Sequence, residues 1–219
     1  MDTNWAEVAH IASTWVVPAL LAITLHEAAH GYAAHHFGDN TAWMQGRISL
    51  NPLRHIDPVG TILIPILTLV FSGGSLLFGY AKPTPINPSL FRDPKRNLLW
   101  VSAAGPFANF LMACFWALMF KLSWLLPPFF STPLALMGEA GIIINCVLMV
   151  LNLIPLPPFD GGRIAVSLLP HRLAWQFAKL EPWGFPILLV LLFSNILGTI
   201  MTPLVKLATG AIATIFGLY

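Results

Sequence analysis

The sequence predicts an all-α polytopic membrane protein: a bundle of about four to six transmembrane helices, with a re-entrant segment and short β-strands beside its polar motifs. Three observations carry that prediction. Hydrophobic residues make up 57% of the 219 and charged residues only 9%, with a mean hydropathy of +0.75. A soluble domain needs roughly 25% charged residues to cover its surface, so this chain must meet something other than water. Second, the few charges are gathered, leaving uncharged stretches near the ~20 residues that ~30 Å of hydrocarbon requires. Third, one of those stretches is broken by Pro65 and by Gly73-Gly74, which suits a segment that enters the membrane and turns back.

The elements follow in order. A first span is expected from about Ile11 to Phe37, with Pro18 as its kink. The broken run covers Pro58 to Ala81, the third stretch Asn97 to Phe120, the fourth about Ala135 to Pro155, and the fifth Trp183 to about Met201. A last apolar piece, Leu207 to Tyr219, is short for a full span and either lies in the interface or completes a sixth segment. The polar stretches between them, Gly38 to Asp57, Lys82 to Arg96 and Phe159 to Pro182, belong near headgroups. Two alternating pieces, Gly46 to Pro52 and Leu76 to Ile86, read as short strands.

No repeat or linker divides the chain, so residues 1–219 are expected to form a single membrane-embedded domain. Asp2 and Glu7 stand where a cleavable signal peptide would carry basic residues, so none is expected. A net charge of +2 is too small for a nucleic-acid binder, and none is expected as a partner. The high hydrophobicity excludes a disordered chain. Cys114 and Cys146 both lie in apolar runs, which is neither a disulfide framework nor a thiolate metal site.

Chemistry is concentrated in two places. The first is His26-Glu27-Ala28-Ala29-His30, an H-E-x-x-H inside an apolar helical stretch. On a helix, positions i and i+4 share a face, so both imidazoles reach one ion. Glu27 falls on the adjoining face, placed to exchange a proton with water rather than to bind the ion. That division of labour is zinc-protease chemistry. Ionisable groups inside a span are costly, which makes a functional site the default reading there. A polar trio that merely glues helices together would not need this order at this spacing.

The second place is Asn152-Leu153-Ile154-Pro155-Leu156-Pro157-Pro158-Phe159-Asp160-Gly161-Gly162-Arg163. Two His leave a tetrahedral zinc site one protein ligand short. Asp160 is the acidic residue with a shaping context: prolines before it impose an extended approach, and paired glycines after it permit a tight turn and close backbone contact. Smaller expectations concern His35, His36 and His55, taken as structural or solvated, with His55 orienting its loop. Asn145 is expected to bond between helices, and Asn109, which follows Gly105-Pro106, to support the site.

H-E-A-A-H in an early span, G-P-F-A-N at Gly105 to Asn109 and N-L-I-P-L-P-P-F-D-G-G at Asn152 to Gly162 together resemble the site-2 protease family, the membrane zinc metalloproteases of peptidase family M50. The resemblance covers residues 20–165 or so, with the motifs in the family's order, and is to the compact bacterial type without a PDZ domain. It implies one Zn²⁺ per chain held by His26, His30 and Asp160, Glu27 as catalytic acid/base, and Asn152 as a catalytic residue that contacts substrate backbone or the developing oxyanion. It also implies a transmembrane protein or peptide substrate, cut in or near the lipid bilayer, and a bacterial cell membrane as the location.

The broken run decides how the motifs meet. If Pro58 to Ala81 crosses the membrane, Asp160 emerges on the face opposite His30. If it turns at Gly73-Gly74, both motifs reach one face. The positive-inside rule favours the turn. It gathers Arg47, Arg54, Lys82, Arg92, Lys95, Arg96, Arg163, Arg172 and Lys179 on one side and leaves Lys121 and Lys206 on the other. The N-terminus is then outside and the site lies toward the cytoplasm. The re-entrant run should pack against the catalytic helix, and its flank, Gly79 to Ile86, should offer a strand edge to an extended substrate.

The sequence thus reads as a zinc-dependent intramembrane endopeptidase. The alternative is a membrane metal transporter or metal-binding channel, but that needs polar residues along the whole bilayer thickness, and here they gather at one level. A di-iron oxidase needs more His and carboxylates than these.

Overall fold

The computed structural model describes residues 5–71 and 79–218. Among them the chain is helical and contains no strand. Helix α1 spans Trp5–His36, with Pro18 inside it. A one-turn helix α2, Thr41–Met44, follows, and then a π-helical turn, Pro58–Leu63, leads into α3, Ile64–Phe71. The long pair α4, Pro94–Ser123, and α5, Pro128–Leu153, comes next. Short helices α6, Asp160–Leu168, and α7, His171–Ala178, precede α8, Gly184–Phe193, and α9, Ile196–Phe216.

Local chemistry sets these ends. Pro94 opens α4 where no N–H is needed, and the Asp93 carboxylate caps it by accepting from Arg96 N at 3.2 Å. Helix α1 ends in a turn through Gly38, at φ +104°, where Asp39 N returns to Ala34 O at 2.9 Å. The expected fifth span, Trp183 to Met201, is instead two helices. Asn195 takes a left-handed φ of 60° and turns the chain between α8 and α9. The apolar tail is accordingly no interfacial fragment but the second half of α9, 21 residues long.

Four stretches are long and apolar enough to cross a membrane: Pro94–Ser123, Pro128–Leu153, His171–Phe193 and Ile196–Phe216. Helix α1, at 32 residues, rises about 48 Å and packs against α4 and α5. The bundle is apolar outside, with Leu125 and Phe129 both 81% exposed and Val190 and Phe193 about two-thirds exposed. Its interior holds the polar groups Thr24, His26, His30, Asn109, Asn145 and Asp160. That distribution is what a lipid solvent selects: apolar surface costs nothing there, and polar groups find partners inside. A separate apolar core joins Ala113, Trp116 and Ala117 of α4 to Ile142 and Cys146 of α5 and Ile212 of α9. At the far end, Lys121 Nζ donates to Phe216 O at 2.9 Å, so α9 finishes beside the end of α4.

The apolar run 58–81 begins and ends at one level. Tyr80 N donates to Gly60 O and Lys82 N to His55 O, each at 2.9 Å. Thr61 Oγ1 adds a bond to Tyr80 O at 2.9 Å. Ends joined in this way are incompatible with a net crossing of ~30 Å. The expected turning point, Gly73-Gly74, lies outside the described residues.

The expected strands are absent at 46–52 and at 79–86. The reason in the second stretch is that its backbone is bonded elsewhere. The N–H groups of Tyr80, Lys82 and Thr84 are all taken within the chain, and Pro83 and Pro85 have none. Strand addition by a substrate therefore finds no free donor from Lys82 to Pro85.

Candidate metal centre

Helix α1 brings His26 and His30 together by periodicity alone: their rings meet edge to face, centroids 4.7 Å apart. Helix α4 fixes both rings from the side. Nδ1 of His30 lies 2.7 Å from the backbone carbonyl of Val101, and Nδ1 of His26 lies 2.6 Å from Asn109 Oδ1. A carbonyl oxygen only accepts, so each Nδ1 carries the proton and each Nε2 presents a lone pair. Asn109 is held in that orientation, since its Nδ2 donates to Asn145 Oδ1 at 3.0 Å and to Ala22 O at 3.3 Å. Asn145 in turn donates to Gly141 O at 2.8 Å. Both amides are fully buried.

Asp160 arrives from the far side, at the start of α6. Its Oδ2 stands 3.2 Å from Nε2 of His26 and 3.2 Å from Nε2 of His30, and the two Nε2 atoms are 3.1 Å apart. All three residues are buried, and they form the His/His/Asp group able to hold a metal ion among the described residues.

The group fits zinc on its own geometry. With both Nδ1 atoms protonated, three lone-pair atoms face one another with no hydrogen between them, an arrangement that repels until a cation fills it. Ligands 2.0–2.1 Å from a tetrahedral ion stand about 3.3 Å apart, close to the spacings found. Carboxylate and imidazole suit Zn²⁺, and the buried N–H···O bonds behind each His are the usual support for such ligands.

Two close approaches make the convergence possible. A Cβ on Gly105 would sit 2.4 Å from His30 Nε2 and 2.6 Å from His26 Cε1. A Cβ on Gly161 would sit 2.3 Å from Ile154 O. The paired glycines after Asp160 therefore serve close backbone contact, as expected. They do not form a turn, because both are helical residues of α6.

The other predicted residues are placed as follows. Glu27 is half-buried beside the triad, its Oε2 accepting from Thr84 N at 2.6 Å. Asn152 ends α5, its Nδ2 donated to Leu148 O at 3.0 Å. His55 is buried, 2.8 Å from Ser49 O, and its own carbonyl receives Lys82 N, so it does organise its loop. His35 bonds Asn40 and stacks on Trp43, away from the triad. Asn109 contacts a triad residue, in line with the supporting role expected of it. The sequence reading missed Thr84 and the Val101 carbonyl. A backbone carbonyl leaves no sequence signal, but Pro83-Thr84-Pro85, with one N–H in three residues, was there to be noticed.

A buried His/His/Asp group able to hold a metal ion, with a neighbouring Glu and set inside an apolar helical bundle, marks a metal-binding membrane protein. The chain is 36% identical over 205 residues to "Putative zinc metalloprotease YwhC" of Bacillus subtilis, covering 92% of this chain and 90% of that one. It is 29% identical over 184 residues to "Putative zinc metalloprotease Rip2" of Mycolicibacterium smegmatis, covering 80% of this chain and 64% of that protein. The Rip2 of Mycobacterium tuberculosis is 29% identical over 153 residues, and the match spans about half of its length. No protein-family model matches the chain, and no solved structure does. The chain belongs to the family of YwhC, a protein named as a zinc metalloprotease.

Proposed function

We propose that this protein is a zinc-dependent intramembrane endopeptidase of the site-2 protease type, peptidase family M50, cutting peptide bonds in or near transmembrane segments. The observation that carries the proposal is the meeting of His26 Nε2, His30 Nε2 and Asp160 Oδ2 within 3.2 Å of one another inside an apolar bundle, with Glu27 alongside. One Zn²⁺ per chain would be held by those three atoms. When bound, the ion supplies Lewis acidity, polarising a carbonyl and acidifying water. Asn109 and the Val101 carbonyl keep both imidazoles in the tautomer that offers Nε2. Glu27 accepts the proton of the attacking water and returns it to the leaving amine. Asn152 donates to the oxyanion side of the scissile carbonyl.

The protein would sit in a bacterial cell membrane with its N-terminus outside and the site toward the cytoplasm, following the bias of nine Lys and Arg against two. Its partners would be a transmembrane substrate and the lipid bilayer. A transporter reading is not favoured, for the relatives this chain resembles carry the name of zinc metalloprotease. The test is proteolysis of labelled single-span substrates by the protein purified in detergent. Cleavage that a zinc chelator stops and added zinc restores is expected. Cleavage indifferent to chelation, or none across a broad panel, would overturn the proposal.

A further inference from the structure

The catalytic carboxylate assigned above is not held by its own helix. Glu27 Oε2 accepts the backbone N–H of Thr84 at 2.6 Å, and Thr84 Oγ1 donates to the Glu27 carbonyl at 2.9 Å. Residues 57 apart are thus tied twice. Thr84 is 5% exposed, and its methyl faces Gly31, one turn beyond Glu27 on α1.

The sequence around Thr84 is shaped for that contact. Pro83 and Pro85 carry no N–H, so Thr84 is the single backbone donor between Lys82 and Ile86. A residue before proline is driven to extended backbone, which keeps the donor from turning into a helix. The carbonyls just upstream are braced by a buried cation: Arg47 Nη2 donates to Lys82 O at 2.6 Å and to Pro83 O at 3.3 Å, while Nη1 takes Arg54 O. Lys82 N is fixed to His55 O, and Asn87 N to the buried Asp39 carboxylate at 2.6 Å.

We infer that Thr84 is a positioning residue for the acid/base: its N–H occupies one carboxylate oxygen of Glu27 and so aims the other toward the His26–His30–Asp160 group, with Arg47 bracing the strap that presents it. The inference rests on the reading of Glu27 as the acid/base. A backbone donor does this better than a side chain, since it has no rotamer to lose, and aim is where proximity effects are won or lost.

The test compares substitutions that separate the N–H from the hydroxyl. Thr84→Pro removes the N–H and keeps the extended backbone. It should lower kcat by at least about tenfold with KM within about twofold and one zinc per chain retained. Thr84→Val keeps the N–H and should recover most of that turnover. A second readout needs no turnover. In protein labelled with ¹⁵N-threonine, the Thr84 amide, identified by its loss in Thr84→Ser, should lie downfield and exchange slowly, and should lose both properties in Glu27→Ala. An unchanged amide in Glu27→Ala, full turnover in Thr84→Pro, or a rise in kcat there would overturn the inference. If Thr84→Pro is fully active while Glu27→Gln is dead, the inference falls and the role of Glu27 stands. An active Glu27→Gln removes both.

Discussion

Lys82 N and the carbonyl of His55 are hydrogen-bonded at 2.9 Å, although 27 positions of mostly apolar chain separate them. That bond closes the base of the run 58–81 and returns the chain to the side it left.

The topology is open to direct measurement. In a Cys114→Ala, Cys146→Ala background, single cysteines at the exposed positions Leu53 and Leu90 flank the run, and Leu125 marks the α4–α5 turn. A membrane-impermeant thiol reagent should label Leu53→Cys and Leu90→Cys from one side and Leu125→Cys from the other. Opposite labelling of the first two would mean a net crossing.

Glu27→Gln keeps the shape and volume of the side chain but cannot take a proton. Turnover should fall by at least about 100-fold, while zinc stays at one per chain by elemental analysis. Near-normal turnover would remove Glu27 from the mechanism.

Asp160→Ala removes one of the three converging atoms. Zinc affinity should drop by well over about tenfold, and activity should fall with it. Competition with a chromophoric chelator measures this. Unchanged affinity would mean that Asp160 does not bind the ion.

Gly105→Ala probes the approach of α4 to the triad. The added methyl would sit 2.4 Å from His30 Nε2, so a ring or a helix must shift. The variant should remain folded, because the strain is local, yet lose zinc as severely as a ligand variant. Full zinc content in Gly105→Ala would show that the helices are not as close as described.

Asn109→Leu tests the support behind His26. It leaves a buried Nδ1–H without an acceptor, at a cost of about 1–3 kcal/mol. Zinc affinity should fall about 10–100-fold, less than in Asp160→Ala. An affinity equal to the parent's would make Asn109 a packing residue only.

Much of this protein was legible in its sequence because the relevant physics is local. Helical periodicity alone sets His26 against His30, and the scarcity of charge alone places the chain in a lipid solvent. The prolines before Asp160 and the glycine pair after it marked that residue, since those residue types restrict or free the backbone in known ways. What sequence could not decide was anything that depends on which distant groups claim a backbone donor. Leu76 to Ile86 alternates like a strand, but the N–H groups of Tyr80, Lys82 and Thr84 are bonded to Gly60, His55 and Glu27, so no ladder forms among the described residues. The apolar stretch from Trp183 reads as one span, yet Asn195 adopts a left-handed turn and divides it between α8 and α9. The tautomer of His26 likewise waits on Asn109, 83 residues away, and on the amide of Asn145 behind it. Local propensity is a property of the chain, whereas a hydrogen-bond partner is a property of the fold, and only the tertiary structure says which of several willing acceptors each donor meets.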